Sequence, residues 1–341
     1  MRGINVLWEE GAFFMELPED LRYAIELELS AISYKELAKL AAELSDRYRA
    51  DKPSAGGSFI KSQRDIDAYV AFRMPATFAA VYSALNQVME CLPNWSPQTL
   101  LDVGAGPGTA LWAALSVYPD LNAATLIERE EGMIRLGKRL GKYSSSTVIQ
   151  EAKWVEVDIT ANDWKTFPHD IVTASYVLGE LDEKHRSDFI RKLWQLTKGV
   201  MIIIEPGTPA GFSRIRQARK QLISEGGIVI APCPHNLSCP ITDDDWCHFS
   251  QRISRSRLHR QVKSAELSYE DEKFSFIAVS RNKGEAVLGR VLRHPHIRKG
   301  HIKFQVCSLD GIRNITITRK DKELYRTARK LKWGSIFPFK Q

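Results

Sequence analysis

No stretch of this 341-residue chain approaches the 18 or so uninterrupted apolar residues that a membrane helix needs; runs such as Val200 to Ile204 are of strand length. The opening residues, M-R-G-I-N-V-L-W-E-E-G, lack a basic n-region followed by a long apolar core, so no secretory leader is read there. Internal repeats and low-complexity tracts are absent as well. Cysteine is scarce, at five residues. Without an export signal the expected compartment is reducing, which argues against a disulfide framework and gives any clustered thiols another purpose. What is present is ordinary for a soluble globular protein: 44% apolar and 26% charged residues, with length for two or three domains.

Three of the five cysteines fall within A-P-C-P-H-N-L-S-C-P-I-T-D-D-D-W-C-H-F, as Cys233, Cys239 and Cys247. Cys307 lies in the alternating segment H-I-K-F-Q-V-C, and Cys91 stands apart in an apolar run. Zinc ribbons and knuckles pair their ligands as C-x2-C, whereas these gaps are five and seven residues. Longer gaps wrap a larger object, and the Cys-Pro steps at Cys233 and Cys239 are also a habit of bacterial ferredoxins. An iron–sulfur cluster is therefore preferred to zinc or to plain buried thiols. Under the zinc reading His235 and His248 are substitute ligands; otherwise they are surface or supporting residues.

Charge is unevenly spread. Residues 211–341 hold 26 Lys and Arg against 12 Asp and Glu, while the first 210 hold 22 against 29. The net +7 thus arises wholly in the C-terminal part. Its blocks run from Arg214 to Lys220, Arg252 to Arg260, Arg290 to Lys303 and Arg319 to Lys332. One-sided positive charge on this scale predicts a polyphosphate partner, a nucleic acid.

The periodicity changes twice along the chain. Residues 17–49 and 66–89 show helical spacing, with Pro75 expected to kink or split the second stretch. From Thr99 to Pro206 short apolar strands (Thr99–Val103, Ala124–Glu128, Lys153–Val157, Ile171–Ser175, Val200–Ile204) alternate with helices at Thr109–Val117, Gly132–Leu140 and Glu183–Thr197. That alternation predicts an α/β fold with a mostly parallel sheet. After a basic helix ending near Glu225, the remainder alternates like strands. Three domains are expected: a helical N-terminal domain over 1–97, an α/β domain over 98–225, and a small, basic, β-rich domain of barrel-like size over 226–341 that carries the cysteines.

L-L-D-V-G-A-G-P-G-T-A, Leu100 to Ala110, joins a strand to a helix through Gly104, Gly106 and Gly108. Glycines there let the backbone turn tightly beside a ligand at the helix N-terminus. A dinucleotide site is the competitor, but its fingerprint is G-x-G-x-x-G, and Asp102 would repel a pyrophosphate. An acid at that point suits the zwitterionic end of S-adenosylmethionine. Glu128, closing the next strand, is placed for ribose hydroxyls, and Asp158, closing the third, for the adenine amine. The expected fold is thus a Rossmann-like class I S-adenosylmethionine-dependent methyltransferase sheet. No catalytic residue emerges: A-S-Y-V-L-G-E-L (Ala174 to Leu181) stands where amine methylases carry N/D-P-P-Y/F. Glu180 is a weak candidate base.

Y-V-A-F-R-M-P-A-T-F-A-A-V (Tyr69 to Val81), L-D-V-G-A-G-P-G-T, S-Y-V-L-G-E-L, E-P-G-T-P-A-G-F (Glu205 to Phe212) and C-P-H-N-L-S-C-P…D-W-C-H-F occur in this order. Together they closely resemble the ribosomal small-subunit methyltransferase-like family shared by bacteria and mitochondria, over nearly the whole chain. The resemblance implies a 4Fe–4S cluster on the cysteines matching Cys233, Cys239, Cys247 and Cys307. It also implies a methyltransferase-like domain that contacts small-subunit ribosomal RNA during assembly or translation. An active rRNA methyltransferase and a redox- or iron-responsive RNA-binding protein are the alternatives. The opening residues are not Arg- and Ser-rich and acid-poor as a transit segment is, so a bacterial, cytoplasmic protein is expected, with no membrane partner.

Overall fold

The computed structural model describes residues 6–9, 12–49, 60, 62–161, 164–242, 244–254 and 269–339. The chain begins with two short strands, β1 (Val6–Glu9) and β2 (Ala12–Met15), then helices α1 (Glu19–Glu28), α2 (Tyr34–Arg49) and α3 (Gln63–Ala68). A π-helical turn, Tyr69–Arg73, leads directly into the 18-residue α4 (Met74–Cys91). Pro75 therefore neither kinks nor splits a helix. It sits in the first turn of α4, where no backbone N–H is needed, and the irregularity lies one turn earlier.

The α/β core follows as expected: β3 (Thr99–Val103), α5 (Thr109–Val117), β4 (Ala123–Glu128), α6 (Glu131–Gly141), α7 (Thr147–Gln150), β5 (Lys153–Glu156), β6 (His169–Ser175), α8 (Glu183–Gln195), β7 (Thr197–Pro206) and α9 (Pro209–Ser224). Beyond α9 come β8 (Ile228–Ala231), β9 (Phe249–Ser254) and β10 (Tyr269–Ser280). The large sheet has the order β1-β2-β9-β10-β7-β6-β3-β4-β5, with β8 also beside β10. β3 to β7 are mutually parallel, and β10 enters antiparallel to β7. Counted along the chain, the parallel strands lie third, second, first, fourth, fifth.

Burial on both faces explains why β3, β6 and β7 read as nearly continuous apolar runs. Neighbouring residues point to opposite sides. Leu100 joins the core formed with α4, α5 and α6, while Leu101 joins the core formed with Phe189 and Leu193 of α8 and Ile215 and Leu222 of α9.

K-F-S-F-I-A-V-S, allotted by its pattern to the C-terminal β-rich module, lies in the large sheet instead. Phe274 to Ser280 pair in register with Pro206 to Val200, and from Phe274 onward these residues are buried. Alternation marks a strand but does not name its partner. The remaining module is the expected small β-rich unit, a four-stranded antiparallel sheet. Its strands are β11 (Gly289–Val291), β12 (His296–Arg298), β13 (His301–Ser308) and β14 (Gly311–Thr318), followed by α10 (Lys322–Ala328). It has a small core of its own, including Val291, Phe304, Val306 and Phe337.

Candidate functional site

Two candidate sites are present. The first is the glycine loop at the C-terminal end of β3. Gly104, Gly106 and Gly108 have φ of 74°, 54° and 82°, all in the left-handed region that side chains avoid. A Cβ on Gly104 would lie 2.5 Å from Val177 Cγ2, so only glycine admits that approach. Tyr69, from the π-helical turn, stands over Gly106, its hydroxyl 3.5 Å from where a Cβ would be.

The predicted acids gather here. Asp102 is buried and accepts from Thr173 Oγ1 at 2.7 Å. Glu128 accepts backbone N–H bonds from Gly106 (2.7 Å), Arg129 (2.8 Å) and Glu130 (2.9 Å). Asp158 is exposed and accepts from the amide and hydroxyl of Thr160, with Arg129 helping to hold its pKa low. Burial pushes Asp102 up to about 7, and the nearby Glu128 charge adds to the rise. Glu180, 3.8 Å from Arg129, is pushed up to about 8 by burial, which Arg129 opposes and the charges of Glu128, Glu205 and Glu130 assist. The chemistry of this donor set fits the cationic sulfonium and amino group of S-adenosylmethionine. A positive ligand relieves carboxyls that are otherwise held partly protonated.

Residues the sequence did not single out one by one frame this loop. Tyr176, at φ 63°, is the one non-glycine with positive φ among the described residues. Its hydroxyl donates to Glu272 Oε1 at 2.7 Å, and Arg73 lies over its ring at 5.1 Å and 3.5 Å from the same carboxylate. Behind it, the fully buried Glu205 accepts from Leu178 N and from Arg214 Nε at 2.6 Å. Arg73, Tyr176, Leu178 and Glu205 lie in the segments that carry the family resemblance, Arg214 opens a basic block, and Glu272 had no signal in the sequence.

The second site is a pocket of about 560 Å³, open solvent at its mouth included. Cys233 and Cys239 from the loop after β8, Cys247 before β9 and Cys307 on β13 all line it. All four are free thiols. Among the described residues no three His, Cys, Asp or Glu come close enough together to hold a single metal ion. Four cysteines lining one shared space are a donor set compatible with a polynuclear core. Burial raises the Cys247 thiol well above its ordinary pKa, and the three other sulfurs add to it. Cys307 is pushed up to about 12 by burial, with Cys233 and Cys239 contributing. Such thiols become thiolates only against a cation, and metal coordination supplies one.

His248 does not face this pocket: its ring is stacked on Trp246 and edge-on to Trp333. His235 Nε2 is 3.9 Å from Cys307 Sγ, and its Nδ1 is buried without a partner. Cys91, apparently isolated in sequence, is met by Arg290 Nη2 at 3.6 Å.

The basic blocks divide into two kinds. Arg214, Arg219 and Arg290 are buried, so they serve the interior and not a surface field. Residues 255–260 of the second block lie outside the described residues. On the small sheet and α10, however, Arg298, Lys299, Lys303, Arg313, Arg319, Lys320, Lys322, Arg326, Arg329 and Lys330 are exposed.

Strand order, the antiparallel β10 and the glycine loop define a class I methyltransferase-like α/β protein. Residues 63–338 match the family described as mitochondrial small ribosomal subunit Rsm22, and the chain belongs to that family. It is 30% identical over 291 residues to the human ribosome assembly protein METTL17, mitochondrial, covering 79% of this chain and 62% of that protein. A Rsm22-cox11 tandem protein of Schizosaccharomyces pombe, also mitochondrial, is 26% identical over 80% of this chain and 43% of its own length. The chain thus spans less than two thirds of these two relatives. Among solved structures, the magnesium protoporphyrin IX methyltransferase of Synechocystis PCC 6803 is 13% identical over 70% of this chain and 93% of its own, with a TM-score of 0.41, an overlap that adds nothing to the strand order.

The expectation of a bacterial, cytoplasmic protein is overturned by these matches. The family is that of a mitochondrial subunit protein, and the curated relatives are mitochondrial. That expectation rested on the composition of the first residues, which is not a physical constraint on where this fold works.

Proposed function

We propose that this chain is a methyltransferase-like factor of the mitochondrial small ribosomal subunit. In this reading Cys233, Cys239, Cys247 and Cys307 hold a 4Fe–4S cluster, the exposed basic face binds small-subunit RNA, and the protein acts in ribosome assembly or translation. The observation that carries it is the convergence of four cysteines from separate parts of the chain on one pocket. Cys307 belongs to the basic module, the other three to the loops around β8 and β9. A core bound to all four therefore ties the module (part of the proposed 226–341 domain) to the α/β domain (98–225) and the helical part before it (1–97). Family membership and the relatives' names support the ribosomal setting.

The glycine loop, with Asp102 and Glu128 beside it and Asp158 at the neighbouring strand end, is the proposed S-adenosylmethionine cradle. When bound, that group supplies an electrophilic methyl. The chain's own part is to hold the cationic end against buried carboxyls and to close the loop with Tyr69 and Val177. An active rRNA methyltransferase is the second reading, favoured by Glu180, whose pKa near 8 suits proton transfer at neutral pH.

Anaerobic purification tests the main reading. About four irons and as many sulfides per chain, with broad absorption at the blue edge of the visible, are expected. Stoichiometric zinc or an absence of metal would overturn the cluster. Tritiated S-adenosylmethionine with precursor small subunits tests the second, and RNA label above background is its required result.

A further inference from the structure

Arg219 and Arg290 are buried beside the four thiols and line the same pocket. Arg219, on α9, donates through Nη2 to His235 O at 2.8 Å and Leu237 O at 2.7 Å, both in the loop between Cys233 and Cys239. Its Nε is buried and has no partner. Arg290, on β11, is 1% exposed and donates to Pro232 O and Gly334 O, each at 3.0 Å. Among the described residues no carboxylate hydrogen-bonds to Arg219, and the one acid on Arg290 is Glu90, at 3.7 Å and half exposed. Buried guanidiniums normally sit against buried carboxylates, as Arg214 does against Glu205. A buried positive pair whose hydrogen bonds go to main-chain carbonyls and one sulfur, with a half-exposed carboxylate on one member, asks for a negative neighbour.

We propose that Arg219 and Arg290 are charge-compensating, positioning residues for the four-thiolate site, offsetting its negative charge and setting its reduction potential. This rests on the cluster reading above. Four cysteinates around a 4Fe–4S core leave a doubly negative assembly, and one electron makes it triply negative. No bond forms or breaks and no proton moves; the electron comes from dithionite in the titration below. A fixed, desolvated positive charge favours the more negative state, since a low-dielectric interior screens it weakly. Arg216, also at this pocket but exposed, lacks that leverage.

Potentiometric titration of the anaerobic, full-length protein, followed by electron paramagnetic resonance, tests the proposal. Arg219→Gln is expected to lower the reduced-to-oxidised ratio at a fixed potential at least about tenfold, a shift of about 59 mV to more negative values for one electron. Arg219→Lys keeps the charge and is expected within about twofold of the parent. Glu90→Gln, at a half-exposed position that does not threaten folding, is expected to shift the ratio about twofold the opposite way by leaving Arg290 uncountered. An unmoved potential in Arg219→Gln and Glu90→Gln, or equal shifts in Arg219→Gln and Arg219→Lys, overturns the proposal and leaves the cluster standing. A parent protein that takes up no iron overturns both.

Discussion

The glycine-loop site and the cysteine pocket differ in how far the chain satisfies its own polar groups. Around the loop every predicted acid already has partners: Thr173 for Asp102, three amides for Glu128 and Thr160 for Asp158. What is left unpaired there are neutral hydroxyls, on Thr109 and Ser175. At the pocket the unpaired atoms are a guanidinium nitrogen of Arg219 and an imidazole nitrogen of His235, beside four free thiols. A buried donor without a partner costs about 1–3 kcal/mol, more when charged. The first site pairs its charged groups within the polypeptide, whereas the second leaves a buried charged donor and a buried ring nitrogen unpaired, and that difference is what the proposed cluster would account for.

The sharpest way to break that contrast is Cys239→Ser. Loss of iron and destabilisation by several kcal/mol in anaerobic denaturant melts are expected, because metal-site free energy is folding free energy. A brown variant of parental stability would remove Cys239 from the ligand set and undo the four-cysteine assignment. Arg214→Ala leaves the carboxylate of Glu205, 0% exposed, without its guanidinium. A cost of about 3–5 kcal/mol in urea melts is expected, and it measures what the internally paired side of the molecule loses when one partner is removed. Gly104→Ala forces a left-handed alanine against Val177 and should cost about 1–3 kcal/mol. It should abolish S-adenosylmethionine binding in calorimetry while leaving iron content unchanged, so the two sites separate.

The loop carries its own pH response. Asp102 rises from 3.8 to about 7 and Glu180 from 4.5 to about 8, so the folded chain keeps protons that the unfolded chain has released. Their contribution to stability is full below about pH 4 and is lost as the pH rises through about 7 to 8. Asp102→Asn should flatten the slope of unfolding free energy in that window by about one proton; an unchanged slope would contradict the burial of Asp102. The smallest effect is expected on the exposed basic face. Arg298→Ala should weaken RNA binding modestly and reduce the salt slope by about one, measured by fluorescence anisotropy across salt concentrations.

Much of the fold was legible locally. Periodicity located all five parallel strands to within three residues at either end; β3, β6 and β7 stood out because a strand buried on both faces must be apolar throughout, while the edge strand β5 is short and partly exposed. The G-x-G-x-G run marked its turn, since left-handed φ at three positions is a demand only glycine meets cheaply. β10 was visible as a strand but not as a member of the large sheet, since pairing with β7 is a contact between residues some 70 positions apart. Likewise a count of Lys and Arg cannot separate the exposed Arg298 from the buried Arg214, Arg219 and Arg290.

By itself, then, the sequence determined which segments are strands and helices, where the backbone must turn, and which residue types are available for metal, cofactor and phosphate. Only the tertiary structure decided that Cys307 meets Cys233, Cys239 and Cys247, that Tyr176 is clasped by Glu272 and Arg73, and that two arginines face sulfur in place of solvent. Local propensity acts over a few residues, whereas burial, charge pairing and convergence depend on chain segments that only folding brings together.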